Sequence, residues 1–244
     1  MPPARAGYNT YMEKQPLLKA LTRAGVGSRR QIAEAIKGER VTVNGDVVIA
    51  FSHPIEPGSD EVLLDGKAVN IKPQRFVYLA LHKPKGVLST VRDERGRRTV
   101  VDLLPPEYRK LRLYPVGRLD KDSTGLILLT NDGDLAHRLT HPSFEHEKEY
   151  HICIEGELSN DEIKSLENGI ELEDGKTAPA RVERLGGGEY GITIHEGKKR
   201  QLRRMFQSLG HPVIELKRVR MGDLKLGDLK EGGVREIKIP LPLQ

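Results

Sequence analysis

Residues 115–133 read PVGRLDKDSTGLILLTNDG, a charged loop that runs straight into an unbroken apolar segment. The segment Gly125–Thr130 reads as a buried strand, closed by the turn residues Asn131, Asp132 and Gly133. A rigid strand that ends a polar loop holds the loop's side chains in place. Arg118, Leu119 and Asp120 are therefore candidates for a positioned, reactive constellation.

The chain divides near residue 72. In the first part, Pro16 precedes the periodic apolar residues Leu17, Leu18 and Leu21, and Gly25-Val26-Gly27 ends that helical pattern. Ser28 with Gln31 three residues later predicts a capping box for a second helix, whose apolar face is Ile32, Ala35 and Ile36. Asn44-Gly45 and Asp65-Gly66 predict two hairpin turns. The reading is a loose tail over 1–13, a compact unit over 14–72 and a short linker at Ile71–Arg75. Residues 76–244 alternate irregularly between strand and helix signals. Strands are expected at Val77–His82, Gly125–Thr130, Glu149–Glu155, Tyr190–His195, Val213–Lys217 and Glu236–Ile239, and helices at Val100–Leu104, Asp134–Thr140, Asn160–Leu166 and Arg200–Leu209. Gly186–Gly188 reads as a flexible loop. This pattern predicts an α+β protein with a largely antiparallel sheet.

Charge is segregated along the chain. Residues 14–40 carry seven basic and two acidic side chains, 82–99 six and two, and 195–220 eight and two, whereas 155–174 carry eight acidic and one basic. A basic face with an acidic back fits a polyanionic partner such as nucleic acid. The single cysteine, Cys153, excludes an internal disulfide and a multi-cysteine zinc site. No apolar run reaches the length of a membrane span and no secretory leader is evident, so the expectation is a cytoplasmic protein without membrane contact.

The GRLD-x4-GL-x-LLTNDG core resembles the central motif of RsuA-type pseudouridine synthases, which modify ribosomal RNA. The resemblance covers nearly the whole chain and implies a mixed central sheet with the catalytic cleft on one face. It implies that Asp120 is the essential catalytic residue. EGKKRQLRRMF, residues 196–206, is similar to a further motif of the family. By position it implies that Arg203 pairs with the aspartate, that Leu202 walls the base, and that Arg204 lies among the RNA contacts. HEKEYHICI, residues 146–154, matches the family's Lys-x-Tyr pattern, which implies a catalytic Tyr150 whose ring stacks on the extracted base and whose hydroxyl can move a proton, and a Lys148 that pairs with a carboxylate or with a phosphate of the substrate. Tyr150 also alternates in phase with Ile152 and Ile154, the start of an inward-facing row. LHKPKG, residues 81–86, resembles the family's first motif, which implies a structural role, with Lys83 and Lys85 near RNA. Arg118 is a candidate to enter the gap left by a flipped uridine, the alternative being that it braces the loop. AGVGSRRQIAEAIKGERVTVNG, residues 24–45, resembles an S4 domain, a small RNA-binding module, and implies that Arg23, Arg29 and Arg30 face phosphates.

Uridine isomerisation breaks N1–C1′ and joins C5 to C1′ with nothing oxidised or donated, so no cofactor is expected. A carboxylate can add to C1′, stabilise positive charge on the sugar, or remove a sugar proton; the sequence does not choose. His137 and His141 stand at metal-ligand spacing, but no carboxylate completes a pattern, and no metal is expected. The alternative from another class is a non-catalytic ribosomal RNA binder or assembly factor. The expected partner in either case is ribosomal RNA, and the expected state is a monomer.

Overall fold

The computed structural model describes residues 14–71 and 75–239, and its contacts separate two compact units after Phe76. The tail expected over 1–13 and the centre of the Ile71–Arg75 linker lie outside the described residues.

The first unit opens with β1 (Gln15–Pro16), followed by α1 (Leu17–Arg23) and α2 (Arg29–Lys37). The capping box is formed: Ser28 accepts from the Gln31 amide and Gln31 accepts from the Ser28 amide. The helices pack through Leu17, Leu21, Ile32 and Ile36, all fully buried. β2 (Val41–Val43), β3 (Asp46–Val47), β5 (Val62–Leu64) and β6 (Lys67–Ala68) form a small sheet in the order β3-β2-β5-β6, while β4 (Pro54–Ile55) pairs with β1. Asn44-Gly45 and Asp65-Gly66 make the two hairpin turns, each with positive φ at both residues.

The second unit is built on one nine-stranded sheet. Its strands are β7 (Tyr78–Lys83), β8 (Tyr114–Val116), β9 (Thr124–Thr130), β10 (Lys148–Ile154), β11 (Arg181–Gly186), β12 (Glu189–Ile194), β13 (Val213–Met221), β14 (Leu224–Lys225) and β15 (Val234–Glu236). The order is β11-β12-β10-β13-β9-β7-β15, with β14 on β13 and β8 on β9. Every pairing is antiparallel except β9 with β13, so the sheet is mixed and largely antiparallel, as the sequence predicts. The helices are α3 (Pro106–Arg109), α4 (Gly133–Thr140), α5 (Asn160–Asn168) and α6 (Gln201–Ser208). The helical turn expected at Val100–Leu104 is a three-residue 3-10 turn, Val101–Leu103, and Gly186–Gly188 is the tight reversal between β11 and β12.

The unbroken apolar run in β9 follows from its position. Ile127 and Leu129 join one core, with Leu79, Leu81, Ile152 and the α6 residues Met205 and Phe206. Leu126 and Leu128 join another, with Leu135 and Leu139 of α4. A strand covered on both faces has no polar face to alternate, and each of these side chains contributes about 1.5–3 kcal/mol by leaving water. The turn after the strand doubles as a helix start, because Asp132 accepts from the amides of Asp134 and Leu135.

One edge of β9 is shared. β13 takes Thr124 and Gly125, and β8 takes Leu128–Thr130. At the β13 end the backbones approach so closely that a Cβ on Gly125 would overlap the Arg218 carbonyl oxygen and sit 2.5 Å from the Arg218 nitrogen, and Gly125 has φ +105°. Only glycine fits both conditions. Gly125→Ala should cost about 3 kcal/mol or more in urea unfolding, from backbone clash and strain together. A loss below about 1 kcal/mol would refute the close approach.

Candidate active site

The loop that carries Asp120 is gripped along its length. The Ser89 hydroxyl donates to the Leu119 carbonyl (2.9 Å) and accepts from the Leu119 amide (3.1 Å). The Ser123 amide donates to the Asp120 carbonyl, and the Gly86 amide to the Lys121 carbonyl. Beneath the loop lies Lys83, at the end of β7 and 0% exposed. Its ammonium donates to the carbonyls of Ser123 (2.7 Å), Pro84 (2.9 Å) and, at 3.4 Å, Lys121. Burial pushes the Lys83 ammonium down to about 8, against opposing pulls from Asp120, Asp122 and Glu231.

Asp120 is half-buried in the wall of a cleft of about 540 Å³. The same cleft is lined by Arg118, Tyr150, Leu202 and Arg203, with Ser123, Ile194, Leu216 and residues 197–201 completing it. The loop before β9, the strand β10, the strand β13 and the start of α6 thus converge on one space. Tyr150 is 7% exposed and, with Ile152 and Ile154, forms the inward row that the alternation predicts. An irregularity helps to aim it: Glu149 pairs with Arg220 but Tyr150 with Arg218, so Val219 is skipped. An extra residue at this point re-sets the strand's facing.

Arg203 and Asp120 share the cleft but form no direct ion pair within 4.0 Å. The Arg203 fork is spent on backbone: Nη1 donates to the Val213 carbonyl (2.9 Å) and Nη2 to the Asp122 carbonyl (3.2 Å). Burial and the neighbouring Arg200 lower the Arg203 guanidinium below its ordinary value, while Asp122 and Asp120 oppose that. The expected pairing is therefore an attraction through space, with the guanidinium bound two residues beyond the carboxylate.

Other expected residues lie elsewhere. Lys83 keeps its charge sealed under the loop among backbone carbonyls, in line with the structural role that the first motif implies. Arg204, also expected at RNA, points away from the cleft and forms a two-pronged pair with Asp174 at 2.8 and 2.9 Å. Lys85 is exposed but does not line the cleft. Lys148 lines an adjoining cavity. In the first unit Arg29 and Arg30 are exposed, with Arg30 beside Glu34, while Arg23 is half-buried and donates to Gln15.

Some site features leave no signal in the sequence. Arg200 adopts a left-handed backbone (φ 50°) just before α6, reaches Asp122 at 3.5 Å, and so bridges the Asp120 loop to the helix. Gln201, 3% exposed, ties the Lys198 amide to the Glu196 carboxylate and shapes the turn. The EGKKRQLRRMF run marks the region but not these partners, which lie far apart in sequence.

Lys83 yields a test of the loop's support. Lys83→Met takes the ammonium from the carbonyls of Ser123 and Pro84 in a dry site, while the Lys121 carbonyl keeps the Gly86 amide, and should destabilise the protein by about 2 kcal/mol in urea. The folded-state ammonium titrates near 8 against an ordinary 10.5. Between those values the unfolded chain binds more protons, so wild-type stability should rise with pH relative to Lys83→Met across that window. Parallel pH curves for the two proteins would refute the buried charge.

Comparisons with known proteins place the chain in a family. The profile of the RNA pseudouridylate synthase family matches residues 77–208, and that of the S4 domain matches residues 15–62. The chain is 42% identical over 227 residues to a ribosomal large subunit pseudouridine synthase B of Bacillus subtilis, covering 91% of each chain. It is 42% identical over 220 residues to a protein of the same name from Vibrio cholerae, covering 86% of this chain and 67% of that one. A solved crystal structure of a pseudouridylate synthase superimposes with a TM-score of 0.66 at 31% identity, covering 92% of this chain and 96% of the other. With these matches spanning both units, the chain belongs to the RNA pseudouridylate synthase family, with an S4 domain preceding the synthase domain.

Proposed function

We propose that the protein isomerises a specific uridine of ribosomal RNA to pseudouridine, with Asp120 acting on the ribose of a nucleotide turned out into the cleft. The observation that carries this reading is the convergence of Asp120, Tyr150, Leu202, Arg203 and Arg118 on one cleft from segments distant in sequence. Large-subunit RNA is the substrate to try first, since relatives above are named for that subunit. The reaction opens N1–C1′, turns the base and closes C5–C1′, while the C5 hydrogen is lost as a proton and N1 regains one. No other atom or electron enters or leaves, so the reading calls for no cofactor.

Each residue has a task that its surroundings support. Addition to C1′, stabilisation of sugar charge and removal of a sugar proton all need an ionised carboxylate against the ribose, and Arg203 and Lys83 provide positive charge nearby for it. Leu202 and the Tyr150 ring offer an apolar wall and a stacking face to the extruded base. Arg118 is exposed at the lip, free to fill the vacated stack with its planar fork. In the first unit, Arg29 and Arg30 at the start of α2 supply phosphate contacts beside the positive end of the helix. The protein is read as a cytoplasmic monomer, its RNA substrate lying in that compartment. Among the described residues no helix is long and apolar enough to cross a membrane.

Asp120→Ala should abolish pseudouridine formation in ribosomal RNA, read by tritium release from 5-tritiated uridine, while RNA affinity persists. Turnover in that variant would overturn the catalytic assignment. A non-catalytic RNA binder would leave uridine unchanged in the wild type as well. Replacing Arg29 and Arg30 by alanine should weaken RNA binding and reduce the slope of log affinity against log salt by about 2, one for each phosphate no longer neutralised. An unchanged slope would remove this face from the RNA-binding surface.

A further inference from the structure

A second cavity of about 530 Å³ adjoins the catalytic cleft and shares Arg118, Tyr150, Gly197 and Lys198 with it. Its distinctive lining is cationic: Lys148 on β10 and Arg218 on β13. Arg218 is only 2% exposed, among the most deeply buried large side chains of the described residues. Its Nε donates to the Leu126 carbonyl at 2.8 Å, which fastens the side chain. Its Nη2 is buried with no hydrogen-bond partner, and no carboxylate among the described residues pairs with the guanidinium. Lys148 makes one long hydrogen bond, to the His146 carbonyl at 3.3 Å. Burial, and then the charge of Arg218, lower the Lys148 ammonium below its ordinary value, so the two cations repel each other in a poorly solvated space.

The remaining lining does not neutralise them. The one acidic residue there, Glu196, has its carboxylate engaged by the Ala178 amide (2.9 Å) and the Gln201 side chain (2.5 Å). The shared Lys198 turns its ammonium to the carbonyls of Asp174, Gly175 and Lys176. A buried guanidinium without a counter-ion is costly, and structural arginines are ordinarily paired. Two unpaired cations facing one cavity form a receptor for an anion. The guanidinium fork and the ammonium together suit a tetrahedral oxyanion, whose several oxygens accept from both.

We propose that this cavity is a phosphate subsite, built by Arg218 and Lys148, that takes a phosphodiester of the RNA strand flanking the nucleotide in the catalytic cleft. The assignment of the phosphate to RNA rests on reading the first cleft as the uridine site. Within the wall common to the two cavities, Arg118 and Tyr150 separate base from backbone. A strand with one nucleotide turned onto Tyr150 presents an adjacent phosphate to the cationic side. Such a subsite anchors the strand next to the reacting ribose, where misplacement is most damaging to rate.

The test has two arms. In the first, the thermal unfolding midpoint is measured in inorganic phosphate and in chloride at matched ionic strength. Wild type and Asp120→Ala should both be raised by phosphate, and Lys148→Met should lose at least half of that shift. No shift in wild type, or an equal shift in Lys148→Met, overturns the subsite. Lys148 makes so few bonds that its replacement leaves the fold intact. Arg218→Met, which also gives up the bond to Leu126, is read alongside it, with circular dichroism as the check on folding. The second arm measures the affinity of a large-subunit ribosomal RNA transcript as salt is varied. Lys148→Met should lower the slope of log affinity against log salt by about 1. A lost phosphate shift with an unchanged RNA slope overturns RNA as the source of the anion. Because Asp120→Ala keeps the phosphate shift whether or not it turns over RNA, failure of the subsite and failure of the catalytic assignment give different results.

Discussion

The parallel seam between β9 and β13 holds the catalytic unit together. In the sheet order it is the one junction between the β7–β9 half and the β10–β13 half, and it rests on only two residue pairs, Thr124 with Lys217 and Gly125 with Arg218. The absence of a side chain at Gly125 lets the backbones meet. Arg218 then reaches past the seam to the Leu126 carbonyl, at the point where β9 passes from β13 to β8 as its edge partner. Without this junction, Asp120 and Tyr150 would belong to separate sheets. With it, the loop that precedes β9 opens beside β10 and the start of α6.

The charges around that loop follow from the same geometry. Lys83 rises from below to three carbonyls, and Arg203 and Arg200 reach across from the helix side to the Asp122 carbonyl and carboxylate. Asp120 sits among these cations without being locked by a direct ion pair to Arg203. A carboxylate held in a positive field yet left free of a bidentate partner keeps its oxygens available for chemistry. Arginine suits this position because its planar fork binds backbone at both ends and carries charge at any working pH.

Much of this is legible in the sequence because its causes are local. The Ser28–Gln31 capping box, the Asn44-Gly45 and Asp65-Gly66 turns and the alternation of Tyr150 with Ile152 and Ile154 each depend on a few neighbouring residues. The sequence says less where distant partners intervene. Lys83 in LHKPKG looks like any surface lysine until the 121–123 loop closes over it. Arg204 differs from Arg203 by one position, which on a helix turns it about 100° toward Asp174 and away from the cleft. Strand β11 is not legible because its side chains are almost all exposed, which leaves no apolar row to detect.

By itself the sequence determined the two-part organisation, the buried strand behind a charged loop and, through motif resemblance, which carboxylate to watch. These are properties of short segments, set by side-chain period, capping and turn preference. Only the tertiary structure decided which cations surround that carboxylate, which lysine is buried, and that Arg218 and Lys148 share a cavity. Those facts depend on strand pairing and register, and on an irregularity at Val219 that sets Tyr150 opposite Arg218. Pairing between strands far apart in the chain is a choice among many partners, made by the packing of the whole core, and no single segment encodes it.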